Sequence, residues 1–302
     1  MSVFIREYTT LCASGFGSEA FARALKRECP PTVAYKELKG DPLPPPMPYL
    51  KADLAPLKEF VPSRVTRRMD VFGRIALLLG SVLLKDVPPE ERGDLGLIVA
   101  TGYGSFTTNM DFLNTITGQT HAGASPMLFS STVHNSAMAA VAIHFGIQGP
   151  ACTLSMFEAS LGGAFVLGEA WVASGQARQV LVLAADDVPH LAAYYESRTG
   201  PEPDPSRPET LLAEGGAGFL LGESGRLRLV REEFRPAGTV FGGCGEGSIS
   251  HARAYGRIAC APGFELGAAA LHLETGAGPK EGIAVDFSHP DGRPLFYRLA
   301  IP

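Results

Sequence analysis

The stretch "GPACTLSMFEASLGGAF", Gly149 to Phe165, decides how this chain is read. Its first part, "ACTLSMF", has the apolar run of a buried strand. The small residues from Ala159 to Ala164 suit a helix that packs closely on a sheet. Glu158 stands at the turn between them. Free backbone N–H groups and the helix dipole favour negative charge at such a place. Strand-to-helix elbows often carry nucleophiles, but a glutamate in a first turn is also ordinary helix chemistry. On local grounds both readings of Glu158 stay open.

Outward from the elbow the pattern is one of alternating strands and helices. "NSAMAAVAIHFGIQGP" (Asn135 to Pro150) reads as an alanine-rich helix closed by Gly-Pro, and "LGLIVATGYG" (Leu95 to Gly104) as a core strand ending in glycines. "RRMDVFGRIALLLGSVLL" (Arg67 to Leu84) has the apolar spacing of a buried helix. "VFIREYTTL" (Val3 to Leu11) reads as a first strand, with a short helix after it through "EAFARALKRE". Beyond the elbow helix, which runs to Ser174, "QVLVLAADD" (Gln179 to Asp187) completes a strand, helix and strand unit, which implies a right-handed parallel crossover. "EGGAGFLLG" and "LRLVREEFRP" read as two antiparallel strands. The tail holds a helix around "FELGAAALHLE" and the strands "GIAVDF" and "PLFYRLAIP". Two proline-rich segments, "GDPLPPPMP" and "TGPEPDPSRP", read as exposed irregular loops. No short-period repeat is visible, and the layout predicts a layered α/β protein whose second part is small.

Composition sets the outer bounds. The chain has 302 residues, 45% of them hydrophobic, enough for a substantial core in one large domain or two fused halves. A net charge of -5, with both signs interspersed, offers no basic face for nucleic acid. The five cysteines, Cys12, Cys29, Cys152, Cys244 and Cys260, are scattered with no C-x-x-C pair, which speaks for a reducing cytoplasm and against zinc. No metal or other cofactor is expected. The start "MSVFIREYTTLCASG" lacks a basic segment followed by an apolar one, and no apolar run is long enough for a membrane span, so the chain is expected to be soluble and cytoplasmic.

Five blocks then carry a family resemblance: "VTRRMDVF", "TGYGSF", "SPMLFSSTVHNSAMAAVAIHFGIQGP", "SGQARQVLVLAADD" and "AEGGAGFLLGE". Over Val65 to Glu223, in this order and spacing, the chain resembles the β-ketoacyl-acyl-carrier-protein synthases, the ketosynthases of the thiolase superfamily. The resemblance implies a thiolase-like layered αβαβα fold. Residues 1–225 would form a ketosynthase-like half and residues 226–302 a shortened second half. In that family the Gly-Pro pair leads through a strand to a nucleophilic cysteine, and counting from Gly149 and Pro150 puts that position at Glu158. Cys152, six residues earlier and inside the strand, reads as a small apolar residue.

The family also uses two histidines in its second half. "VFGGCGEG" (Val240 to Gly247) keeps the glycine rhythm of the first histidine block without the histidine. In "ARAYGRIACAPGFEL" the second histidine position is Arg257. His251 and His289 lie nearby, as displaced substitutes or as plain surface or core residues. "DFSHPDGRP" replaces the glycine-rich gating loop. Claisen condensation needs a thiolate to take the acyl chain and imidazoles or an oxyanion hole to stabilise the enolate. The expected function is therefore that of a non-condensing homologue, similar to the chain-length factor that pairs with an active ketosynthase in type II fatty-acid, polyketide or aryl-polyene synthases. The alternatives are an active 3-oxoacyl synthase or malonyl decarboxylase using Glu158, and a stand-alone acyl or carrier-protein binding module.

By the same resemblance Phe106, Asn109, Met110 and Leu113 are candidates for lining an acyl channel, although their helical spacing suits core packing equally. Phe129, Thr132, Asn135, Thr153 and Ser155 are candidates for a dimer interface. The implied partners are a cysteine-bearing ketosynthase or a second copy of the chain, together with an acyl carrier protein, and neither nucleic acid nor membrane.

Overall fold

The computed structural model describes residues 3–28, 31–37, 45–67, 69–117, 124–200, 202–232, 234–242, 248–279, 281–288 and 294–302. Strand β1 (Val3–Cys12) turns through β2 (Gly15–Phe16) into helix α1 (Ser18–Leu25), and the hairpin of β3 (Val33–Lys36) and β4 (Met47–Leu50) follows. β4 corrects the reading of the first proline-rich segment as a wholly irregular, exposed loop. Pro48 sits in the strand opposite Tyr35, in a short two-stranded ladder where a missing N–H is tolerated. Met47 and Tyr49 are buried with Val188 and Leu212, and that burial holds the hairpin down.

Two single turns, α2 (Leu57–Phe60) and α3 (Ser63–Thr66), lead to the long helix α4 (Val71–Leu83). Asp70 starts α4 by accepting the Gly73 N–H at 2.8 Å. After β5 (Gly96–Thr101) come α5 (Phe106–Thr117), α6 (Pro126–Phe129) and α7 (Ser136–Phe145). α7 stops at Gly146, whose φ of 73° suits a residue without Cβ, and so ends before the Gly149-Pro150 pair expected to close it. The elbow unit is β6 (Ala151–Ser155), α8 (Ser160–Ala173) and β7 (Gln179–Asp186). The remaining elements are α9 (His190–Thr199), β8 (Gly215–Gly222), β9 (Leu227–Glu232), β10 (Val240–Phe241), β11 (Ser248–Ile249), α10 (Ala252–Tyr255), α11 (Ala261–Glu274), β12 (Ile283–Asp286) and β13 (Phe296–Ala300).

The strands form an 11-stranded sheet in the order β11-β10-β12-β13-β9-β1-β8-β7-β5-β6, with β2 attached to β1. The order contains the same pattern twice. β6, β5 and β7 run parallel and continue into antiparallel β8 and β1. β11, β10 and β12 run parallel and continue into antiparallel β13 and β9. β1 and β9 join the two patterns as antiparallel neighbours. The repeat that is invisible in the sequence is thus present in the topology. β8 and β9, expected as an antiparallel pair, are separated by β1 and both run antiparallel to it. β6, expected to be buried, is the edge of the sheet, and its end residues Ala151 and Ser155 are exposed.

Helices α8 and α11 lie between the two half-sheets. Phe165 of α8 is fully buried, with its ring 5.3 Å from Phe219, 5.5 Å from Phe287 and 5.6 Å from Tyr297, so one side chain ties both halves together. Phe264 of α11 stacks on Tyr255 at 4.8 Å and meets Phe21 at 5.8 Å. On its outer face the first half-sheet is covered by α4 and α7, through a core that includes Leu79, Leu83, Val141, Val99 and Leu183. The second half is shortened at the corresponding place. β9 and β10 are joined only by residues 233–239, and among the described residues no helix covers this outer face. A small cluster of Val240, Ala284 and Phe296 lies there instead, and Arg298 on the same face pairs with Glu232 at 2.8 Å. Among the described residues no helix is long and apolar enough to cross a membrane.

Candidate functional site

The edge strand β6 ends at Ser155, and the chain turns sharply through Phe157, whose φ is 49°, into a short 3-10 turn and then α8. A side chain with a Cβ is strained in this left-handed region. The turn is held by Ser160, whose hydroxyl accepts the Met156 N–H at 2.7 Å and donates to the Thr101 carbonyl at 2.8 Å. Glu158 does not cap the helix. Its side chain is exposed and, among the described residues, makes no hydrogen bond or ion pair, so its charge is free to face whatever enters the clefts beside it.

Two clefts flank the elbow. One, of about 420 Å³, lies between the halves: Tyr103, Phe157 and Glu158 face Gly242, Ser250, Tyr255, Arg257, Glu265 and Asp286. The other, of about 630 Å³, opens on the first half alone, between Tyr103, Phe106, His134, Ser155, Phe157, Glu158 and Tyr195. An elbow at a parallel-strand terminus, between two halves of identical topology, identifies the architecture.

The family model for the N-terminal domain of β-ketoacyl synthases matches residues 44–218. The chain belongs to the β-ketoacyl synthase family. Several solved ketosynthase structures share its fold over nearly their full length. The ishigamide ketosynthase/chain length factor superposes with a TM-score of 0.80 at 16% identity, covering 100% of this chain and 99% of that one. A type II PKS acyl-carrier protein in complex with its ketosynthase bound to the hexaketide, AntDE:AntF, gives 0.76 at 11% identity, with 100% and 99% covered. A ketosynthase, ApeO, in complex with its chain length factor, ApeC, from Xenorhabdus doucetiae gives 0.61 at 13% identity, with 99% of each chain covered. No curated protein matches the sequence.

Gly242 follows β10 where the histidine block begins, with a φ of 74°, and a Cβ there would lie 3.2 Å from Glu265 Cγ. Glu265 therefore occupies the space into which a side chain at this position would point. Residues 243–247, with Cys244, lie outside the described residues, as do Cys29 and His289. Arg257 lines the first cleft, anchored by its backbone, which donates to the Leu211 carbonyl at 2.8 Å and accepts the Ala213 N–H at 3.0 Å. His251 is held in an internal network. Its Nδ1 is 2.6 Å from the buried Glu265 carboxylate, which also accepts the His251 N–H at 2.7 Å and the Tyr255 hydroxyl at 2.6 Å, and its ring packs on Phe241. This is an internal tie of the 250–255 segment to α11.

Two of the described cysteines have raised thiol pKa values. Burial pushes the Cys152 thiol up, and Cys260, fully buried near Asp186, is pushed up further by burial and by that carboxyl.

Sequence reasoning missed a buried acidic group that shapes the clefts from behind. Asp186 Oδ1 accepts from Thr101 Oγ1 at 2.7 Å, Gly102 N–H at 2.8 Å and Tyr103 N–H at 3.1 Å, and so fixes the turn that presents Tyr103. Asp187 accepts the Thr107 hydroxyl at 2.9 Å and holds the start of α5. Glu214 and Lys36 complete the group, and the Lys36 ammonium donates to the Val188 carbonyl. Burial raises Asp186 to about 7, against the pull of its hydrogen bonds. Burial raises Asp187 to about 6, with Asp70 adding to it, and burial and then Asp187 raise Glu214 to about 7. The signal was present in "AADD" and "AEGG", two acid-bearing motifs at the ends of apolar strands. Among the described residues no set of His, Cys, Asp or Glu is arranged to hold a metal.

Of the candidate positions, Phe106 lines the second cleft and Ser155 its rim. Asn109 is tied to the loop before α7 by its amide, which donates to Ser105 O at 3.1 Å and Thr132 O at 2.9 Å. Met110 is half-buried and Leu113 is exposed. Phe129 is exposed but leans on Phe112 at 5.3 Å, Thr132 Oγ1 donates to Phe129 O at 2.8 Å, and Asn135 is exposed at the start of α7. Thr153 Oγ1 is buried without a partner among the described residues.

Proposed function

We propose that the chain is a non-condensing ketosynthase homologue that acts as the chain-length-factor-like partner of a cysteine-bearing ketosynthase. The pair would serve a type II fatty-acid, polyketide or aryl-polyene synthase in the cytoplasm, fed by an acyl carrier protein. The observation that supports this reading best is the elbow itself: an exposed carboxylate takes the place of a thiolate, on a strand that is an open sheet edge. Attack of Glu158 on a thioester would give a mixed anhydride that water cleaves, and its charge repels an approaching malonyl carboxylate. Gly242 and Arg257 supply no imidazole for the enolate.

What the chain retains is surface. The outer edge of β6 carries no lysine or proline to guard it. Elsewhere on the first half, Ile143 of α7, the helix packed on β6, is 83% exposed and Phe129 of α6 62%. Exposed apolar side chains together with an unguarded strand edge are the mark of an obligate partner, and such interfaces bury on the order of 2,000 Å² or more. In this reading Phe129, Thr132, Asn135, Thr153 and Ser155 belong to the interface. Phe106, Asn109, Met110 and Leu113 line the channel that the partner completes. Residues 1–225 form the ketosynthase-like unit and residues 226–302 its shortened counterpart. Solved relatives of the same fold include ketosynthases together with chain length factors, which agrees with this assignment.

Co-expression with a cysteine-bearing ketosynthase encoded beside this chain, followed by native mass measurement, tests the reading. A one-to-one heterodimer is expected, and a chain that stays monomeric at micromolar concentration with or without that partner overturns it. Glu158→Cys is expected to give no condensation by this chain alone. Condensation by that variant, or malonyl decarboxylation by the wild-type chain, would favour the enzyme reading instead.

A further inference from the structure

Among the described residues, the two clefts share Tyr103, Phe157 and Glu158 alone. Of these, Phe157 is the one whose presence has a conformational cost. Its φ of 49° lies where glycine is at ease and a bulky residue is strained. The ring stands edge-on to Tyr103, with centroids 6.0 Å apart and planes at 89°. Tyr103 is in turn fixed from behind, because its N–H donates to the buried Asp186 carboxyl. A strained aromatic residue, backed by a second one that a buried acid holds in place, is a wall. It lines both the cleft between the halves and the cleft of the first half.

We infer that Phe157, backed by Tyr103, is a partition that stops a linear acyl chain in the cleft between the halves from passing into the cleft under α5 and α9. The inference rests on the reading that this chain handles acyl thioesters beside a partner. It deepens that reading by fixing direction: the cleft lined by Phe106, His134 and Tyr195 receives an acyl chain only from the partner's side. Phe157 then determines specificity without touching the reacting atoms.

The test is the binding of butanoyl-, octanoyl- and dodecanoyl-pantetheine to the purified chain by calorimetry, repeated on the complex where one forms. In the wild type, affinity is expected to stop rising beyond the shorter acyl groups, because the wall ends the cleft. In Phe157→Gly, which removes the ring and relieves the backbone, affinity should keep rising, by up to about fourfold for each methylene the opened passage buries. Phe157→Ala should behave like the glycine variant, and Phe157→Leu, which keeps most of the bulk, like the wild type. Equal chain-length dependence in wild type and in folded Phe157→Gly and Phe157→Ala overturns the partition, and so does the absence of any binding, since a closed cleft must still admit the shortest thioester. Failure of the partner reading shows separately, as no heterodimer by mass, because both clefts belong to this chain.

Discussion

The two halves of this chain repeat one strand order and differ in what covers them. The first half-sheet is closed on its outer face by α4 and α7 and leaves its edge strand β6 open. The second has no such helices among the described residues and closes its outer face with Arg298, Glu232 and a cluster of three apolar side chains. The difference teaches where a degenerate family member can shed residues. The layer between the sheets serves both halves at once, so α8 and α11 are indispensable, whereas an outer layer serves one sheet only. Polar side chains with long aliphatic stems can replace part of that cover. In the proposed reading the condensing chemistry has gone from both halves, and the surfaces that would meet other chains remain in the first.

The strongest way to break this comparison is at the shared layer. Phe165→Ala removes a fully buried ring that contacts both halves and should cost about 3–5 kcal/mol, with loss of a single cooperative transition in denaturant. A small cost with one intact transition would show that the halves do not depend on α8.

The buried acids give the next effect, and its sign is set by their raised values. Unfolded carboxylates titrate near 4, roughly. Asp186, Asp187 and Glu214 hold their protons to about 7, 6 and 7 in the folded chain. The folded state thus binds more protons over that interval, so stability is greatest below about pH 4 as far as these groups are concerned and declines as pH rises to about 7. Asp187→Asn should flatten the decline and stabilise the chain at alkaline pH by about 1–3 kcal/mol, measured by denaturation across pH. An unchanged slope would mean that Asp187 titrates normally.

The outer face of the second half can be sharpened by Arg298→Ala. Loss of the ion pair with Glu232 and of the stem should cost about 1 kcal/mol and raise amide exchange in β13 and β12 while β5 and β7 stay protected. Uniform exchange across both halves would erase the proposed difference in cover. The smallest effect is expected at the elbow: Glu158→Gln, on an exposed side chain without a bonding partner among the described residues, should change stability by no more than about 0.5 kcal/mol and leave the activity of the reconstituted pair intact.

Much of this was legible in the chain. The apolar spacing of Val71–Leu83, the runs in Gly96–Thr101 and Gln179–Asp186 and the small-residue helix after the elbow each set their element locally, because burial on one or both faces imposes its period on the residues. The ordered motifs placed Glu158 at the elbow, and its lack of a thiol needs no coordinates. The sequence by itself determined most of the longer elements and the family, and its resemblance put Glu158 and Arg257 at the family's cysteine and second histidine positions. The tertiary structure decided the rest. Only pairing partners far apart in the chain show that β6 is an edge, that β1 comes between β8 and β9, and that Pro48 enters a strand. Likewise, only proximity across long separations shows that Glu265 fills the space beside Gly242, that Asp186 holds Tyr103, and that Phe157 stands between two clefts. A residue's period records whether it is buried, but which residues it is buried against depends on how the two halves close.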